Sequence, residues 1–174
     1  MDKLSKFSKI FLFLTSVFGA LWLGGYLTRQ LVVYQFFNPE DLSLRSFYNN
    51  QNLDAVIKTI APIFVSNLIL YFSLLITFLI FIVTAKIKFR LEGWLLFITL
   101  IVLITAPFEI YLTVRDYKII SDIYLAADVS AATILDQIKE RMQLLSSFSI
   151  IEILSFIGII FLVIFKPLRK AHEN

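Results

Sequence analysis

Apolar residues run almost uninterrupted through four stretches of the chain, 10–27, 60–85, 94–114 and 148–165. Each is close to the roughly 20 residues that an α-helix needs to cross a bilayer. The pattern therefore predicts four membrane-spanning helices. Between the spans the period changes. Ile119, Ile120, Ile123, Tyr124 and Ala127 fall on one helical stripe, and Ile134, Ile138, Met142 and Leu145 on a second. Residues 115–147 thus read as continuations of the third and fourth helices. They turn at Ala127-Asp128-Val129-Ser130 and project roughly 20 Å beyond the membrane at the helical rise per residue.

The first connection carries Asn38-Pro39-Glu40-Asp41. An Asn cap, Pro at the first helical position and acids in the first turn are a helix-start pattern. It predicts a short amphipathic helix through Tyr48. Asn49–Asn52 breaks it, and a new helix from Leu53 runs into the second span with a bend at Pro62. The expected fold is an all-α integral membrane protein with one domain over 1–174. It is a four-transmembrane up-down-up-down helix bundle, with helices 3 and 4 extended beyond the membrane on the outer side and outer segments at 38–59 and 115–147.

Composition agrees: the chain is 59% hydrophobic and 17% charged. Soluble domains run nearer 45–50% and about 25%. A mean hydropathy of +0.83 asks for lipid as part of the solvent. The 18 phenylalanines, with abundant Ile, Lys and Asn, fit an AT-rich bacterial genome. The apolar run continues through Leu21-Trp22-Leu23 without a small-x-small site after Gly19 and Ala20. It reads as an uncleaved first span rather than a signal peptide.

Charge orients the bundle. Lys3, Lys6 and Lys9, then Lys86, Lys88 and Arg90, then Lys166, Arg169 and Lys170 form three basic clusters that an even number of spans places on one side. That side carries nine Lys/Arg against three acids, and the remainder seven against ten. The positive-inside rule predicts a bacterial cytoplasmic (inner) membrane protein with both termini in the cytoplasm.

Few residues carry chemistry. With no cysteine and one histidine, His172, the chain offers no disulfide, thiolate site or bis-histidine haem. No phosphate loop, metal-ligand cluster or nucleophile elbow is present, so no metal or cofactor is expected. The separated basic clusters do not make a nucleic-acid surface. What stands out are polar residues inside the spans. Glu109 lies 19 residues after Arg90, Arg29 lies 20 after Lys9, and Asn67 lies 19 before Lys86. Each is roughly 28–30 Å up its helix by helical rise. Glu152, 14 residues before Lys166, is deeper, roughly 21 Å up. Glu109 shares a face with Asp116 and Ile123, and Glu152 with Leu145 and Ile138, so both acids are expected to point inward. Pro107 removes a backbone hydrogen bond and is expected to kink the third span just below Glu109.

Two readings of this group stay open. Arg29, Asn67, Glu109 and Glu152 could line a polar cavity open to the outside. Alternatively, Arg29 pairs with one or both acids and fastens the helices together. Gly24-Gly25 reads as a helix-packing site. Tyr26, Tyr34 and Phe36-Phe37 fit an interfacial aromatic belt.

At LWLGGYLTRQLVVYQFF, residues 21–37, the chain resembles the first helix of small, mostly uncharacterised bacterial four-span membrane proteins that include the anthrone-oxygenase-like families. RMQLLSSFSIIEIL, residues 141–154, is similar to the start of the last helix in the same groups. The resemblance covers about thirty residues. The chain departs from it in lacking the usual proline soon after the first span's small residues, so no active site is carried over. What the resemblance implies is a compact four-helix membrane fold.

Three functions follow as expectations. The first is a non-enzymatic accessory or assembly subunit of a membrane complex. It would dock other membrane subunits, or a second copy in a homo-oligomer, through the apolar stripes of the outer hairpin. The second is a small-solute or proton-coupled carrier with an outward-facing polar cavity. The third is a membrane enzyme acting on a lipid or quinone.

Overall fold

The computed structural model describes residues 4–49, 51–86, 89, 91–126 and 128–167. Lys3, Lys88, Arg90, Ala127, Arg169, Lys170 and His172 lie outside the described residues. Five helices follow in order: α1 Lys6–Tyr34, α2 Leu53–Ala85, α3 Gly93–Tyr124, α4 Ala131–Gln143 and α5 Phe148–Phe165. Four of them, α1, α2, α3 and α5, are long and apolar enough to cross a membrane. Large apolar side chains cover their outward surface, with Val83 75% and Ile104 64% exposed.

Each helix begins and ends for a local reason. The Ser5 hydroxyl accepts from the Ser8 amide at 3.1 Å and caps α1. At the far end of the hairpin, the Ser8 hydroxyl donates to Thr84 at 3.4 Å, tying the start of α1 to the end of α2. Lys86 and Lys166 adopt left-handed conformations that stop α2 and α5. Ser130 caps α4 by accepting from the Thr133 amide at 3.2 Å. α2 and α3 run through Pro62 and Pro107 as unbroken helices.

The interior is layered along the bundle. At the loop end, Val33, Phe36, Phe37, Leu53, Ile57, Ile119, Ile134 and Ile138 form one core from α1 to α4. Near the middle, Trp22, Tyr26 and Tyr71 pack with Phe156. At the Ser5 end, Phe78, Phe81, Trp94, Leu95 and Ile98 form the third core. The stripes at 119–123 and 134–142 thus find their partners within the chain. Ile119, Ile134 and Ile138 are buried, and Ile120, Ile123 and Met142 pack against them.

Four expectations are corrected. Residues 38–48 form a closed loop and no helix. The Asn38 amide donates to the Ser43 carbonyl at 2.9 Å, and Asp41 accepts from the Ser43 amide at 2.9 Å. These short polar side chains turn the backbone back on itself instead of capping a helix. Leu42 sits at φ 54° and a Phe37–Leu44 bridge closes the loop. The Ser43 amide and hydroxyl hold the Asp41 carboxyl below the usual carboxylate range.

Second, the fourth span does not continue outward as one helix. The chain breaks over 144–147, with Leu145 at φ 53° and the Phe148 amide donating to the Leu145 carbonyl at 2.7 Å. Leu145 is consequently exposed, so the face shared by Ile138, Leu145 and Glu152 is interrupted. The break lets α4 turn Ile134 and Ile138 inward independently of α5. Third, Tyr26, Phe36 and Phe37 are buried inside the bundle, and only Tyr34 of the expected aromatic belt is exposed.

Fourth, the two adjacent glycines differ. A Cβ on Gly25 would stand 2.7 Å from the Asn67 side-chain oxygen, whereas one on Gly24 meets nothing within 4 Å. Gly25 permits close approach of α1 and α2, and Gly24 faces open space. Gly25→Ala should therefore lower stability by about 1–3 kcal/mol through overpacking, and Gly24→Ala should leave it unchanged or raised. Apparent melting midpoints of the two variants in detergent test this. Equal midpoints would remove the close approach as a constraint.

Candidate functional site

Between the loop-end core and the middle core lies a layer of buried polar side chains. Helical spacing puts them there. Arg29 is one turn from Tyr26 on α1, and Asn67 one turn from Tyr71 on α2. Glu109, Thr113 and Asp116 follow one another on the inner face of α3. Arg141 comes one turn after Ile138 on α4, and Glu152 one turn after Phe148 on α5. All are buried.

Asp116 is the centre of this layer. Its Oδ2 accepts from Arg29 Nη1, and its Oδ1 accepts from Arg141 Nε at 2.9 Å. Arg141 Nη2 reaches Oδ2 at 3.4 Å, so this guanidinium contacts both oxygens. The three side chains are 3–6% exposed, which makes the group a buried ion triad and not a surface pair. One carboxylate shared by two guanidiniums leaves a positive excess. Glu109 stands within electrostatic reach of both arginines. Burial alone would lower the Arg141 guanidinium, and Asp116 and Glu109 more than reverse this, holding it above its ordinary value. The Arg29 guanidinium also lies over the Tyr26 ring, 5.0 Å from its centroid.

Sequence reasoning expected Arg29 to meet Glu109 or Glu152. It pairs with Asp116 instead, because Asp116 lies two turns beyond Glu109 on the same face of α3, level with Arg29. Arg29 is thereby taken out of any open cavity. Asp116 and Arg141 were missed as ion-pair members. Glu109 Oε2, Glu152 Oε2, both amide atoms of Asn67 and Arg29 Nη2 are buried without a hydrogen-bond partner.

Beside this layer opens a cleft of about 600 Å³. Its sides are α1 and α5, and its floor is α2 and α3. The walls are apolar and aromatic, among them Leu23, Leu27, Leu75, Phe78, Trp94, Ile98 and Phe156. Gly19, Ala20 and Gly24 make one wall shallow. Among the described residues, Glu152 is the only Asp, Glu, Lys or Arg on the lining, and Arg29, Asn67 and Glu109 are not part of it. Near the polar layer the Gln30 amide donates to the Ser149 hydroxyl at 3.0 Å, linking α1 to α5. Among the described residues no group of three or more His, Cys, Asp or Glu side chains comes together.

Comparison of the chain with protein-family models, with curated proteins and with solved structures gives no match.

The triad makes a direct prediction. Asp116→Asn leaves two guanidiniums buried with only Glu109 to oppose them, and should cost about 3–5 kcal/mol. Lys58→Ala breaks an exposed α2 pair with Asp54, and should cost about 0–1 kcal/mol. Protease resistance and melting in detergent distinguish the two. An Asp116→Asn protein as stable as Lys58→Ala would show that the triad does not hold the bundle.

Proposed function

We propose that the protein is a multi-pass protein of a bacterial cytoplasmic membrane that takes the apolar body of an amphiphile, of the lipid or quinone class, into the cleft between α1 and α5. The observation that carries this reading is the cleft itself. Its volume of about 600 Å³ falls in the roughly 300–1,000 Å³ range of small-molecule sites. Its walls are apolar, and one acid stands on its lining. A lipid-facing bundle that merely packed its helices would not need such a gap, because close packing is the main source of helix association in lipid.

The other two expectations draw less support. A docking surface was inferred from stripes that needed a partner, and Ile119, Ile134 and Ile138 of these stripes are buried within the chain. A polar carrier cavity was inferred from Arg29, Glu109 and Glu152 together, and only Glu152 faces the cleft. We place both termini in the cytoplasm on the strength of the three basic clusters.

Two measurements test the proposal. Gly24 lines the cleft and has open space beside it, so Gly24→Trp should fill the cleft without disturbing packing. Native mass spectrometry of protein released from phospholipid nanodiscs should find one retained lipid on the parent protein and none on the variant. Equal retention would remove the cleft as a binding site. The chain lacks cysteine, so single thiols report topology cleanly. Ser46→Cys, in the 35–52 loop, should react with an impermeant maleimide on intact spheroplasts, and a cysteine appended after Asn174 should react only after lysis. The reverse result would invert the topology.

A further inference from the structure

The charge of the cleft narrows what can occupy it. Glu152 is 4% exposed, and its Oε2 is buried without a hydrogen-bond partner. Among the described residues, no lysine or arginine lines the cleft. The two buried guanidiniums on the neighbouring helices, Arg29 and Arg141, are both bound to Asp116. An ionised carboxylate in such a place is stable only if something brings it a donor, and a charged donor does so most strongly. Beside Glu152 the lining also carries Tyr71 and Phe156, whose rings attract cations through their faces. An anionic head would meet Glu152 with nothing to offset the repulsion.

We propose that the cleft is selective for lipophilic amines: the ammonium group of the ligand pairs with Glu152, and its alkyl or aryl body lies along the apolar walls. This rests on the cleft being a ligand site, and adds the sign of charge that the site accepts. Binding is non-covalent and moves no electrons. Glu152 supplies the counter-charge, Tyr71 and Phe156 flank it, and the α1 wall at Gly24 accommodates the chain.

Trp94 lies on the lining and Trp22 packs against Tyr71 and Phe156, so tryptophan fluorescence reports occupancy. The experiment titrates the full-length protein in phosphatidylcholine nanodiscs with three quenchers of equal chain length: bromododecylammonium, bromododecanol and bromododecanoate. The ammonium probe should reach half-quenching at about tenfold lower concentration than the other two, the ratio a 1.4 kcal/mol preference gives. Glu152→Gln, of nearly the same size, should make the three probes alike. Ser155→Lys places a cation on the lining one turn from Glu152 and should abolish the ammonium preference even if Glu152→Gln folds poorly. The blocked control is Gly24→Phe, which fills the same space without adding an indole. If the three probes quench the parent protein alike, and Gly24→Phe blocks all of them, amine selectivity is overturned while the cleft stands as an amphiphile site. If no probe quenches the parent more than it does Gly24→Phe, both readings fall.

Discussion

One carboxylate between two guanidiniums sets the constraint around which this bundle is arranged. Asp116 draws Arg29 from α1 and Arg141 from α4 to a single point beside α3. With their side chains 3–6% exposed, none of the three can be left alone without a penalty of several kcal/mol. The helices must therefore sit at the heights and rotations that bring them together. The apolar cores on either side follow from that registration. Above it, Ile119, Ile134 and Ile138 interlock with Val33 and Ile57, and below it, Trp22 and Tyr26 meet Tyr71. The triad also explains why the short helix α4 belongs to the bundle. Its only buried charge is Arg141, and its apolar face is spent on the same core.

The triad and the cleft divide the polar residues of the bundle between two tasks. Arg29, Arg141 and Asp116 satisfy one another, with Glu109 at their side. Glu152, on α5, stands within electrostatic reach of Glu109 but outside the triad, and lines the apolar cleft. A membrane protein that needed only cohesion could do without an acid there. On the proposed reading, helix cohesion rests on Asp116 and ligand contact on Glu152, so substitutions at the two sites have separable consequences.

Much of the architecture was legible in the sequence, and the parts that were not share a cause. Span lengths follow from uninterrupted apolar runs, and the extension of α3 to Tyr124 follows from its periodicity. Asn38-Pro39-Glu40-Asp41 misled because the side chains that cap helices also close turns, and the choice was made by distant partners. The Arg45 side chain donates to the Phe37 carbonyl at 3.0 Å and its amide to the Phe36 carbonyl at 3.0 Å. The break at 144–147 carries neither Gly nor Pro, so nothing local announced it. Asp116 escaped notice because it lies beyond the apolar run, where an acid reads as solvated. Its seven-residue spacing from Glu109 was the available signal, as was the turn separating Arg141 from Ile138. The cleft was not legible at all, since a gap between helices depends on how two faces fail to meet. Gly24 looked like a contact residue and is instead where contact is missing.

The joint between α4 and α5 has a mechanical consequence. The two sides of the cleft are unequally anchored. α1 is fastened to α2 at both ends, by Ser8 to Thr84 and by Val33 in the shared core with Leu53 and Ile57. α5 leaves α4 through a left-handed Leu145, and its own buried residues are only Phe148 and Glu152. Tilting α5 to widen the slot would break the Gln30–Ser149 hydrogen bond and part Phe156 from Trp22, Phe148 from Phe108 and Lys166 from the Trp94 ring. Both jambs of this doorway are latched, and the α1 jamb more heavily.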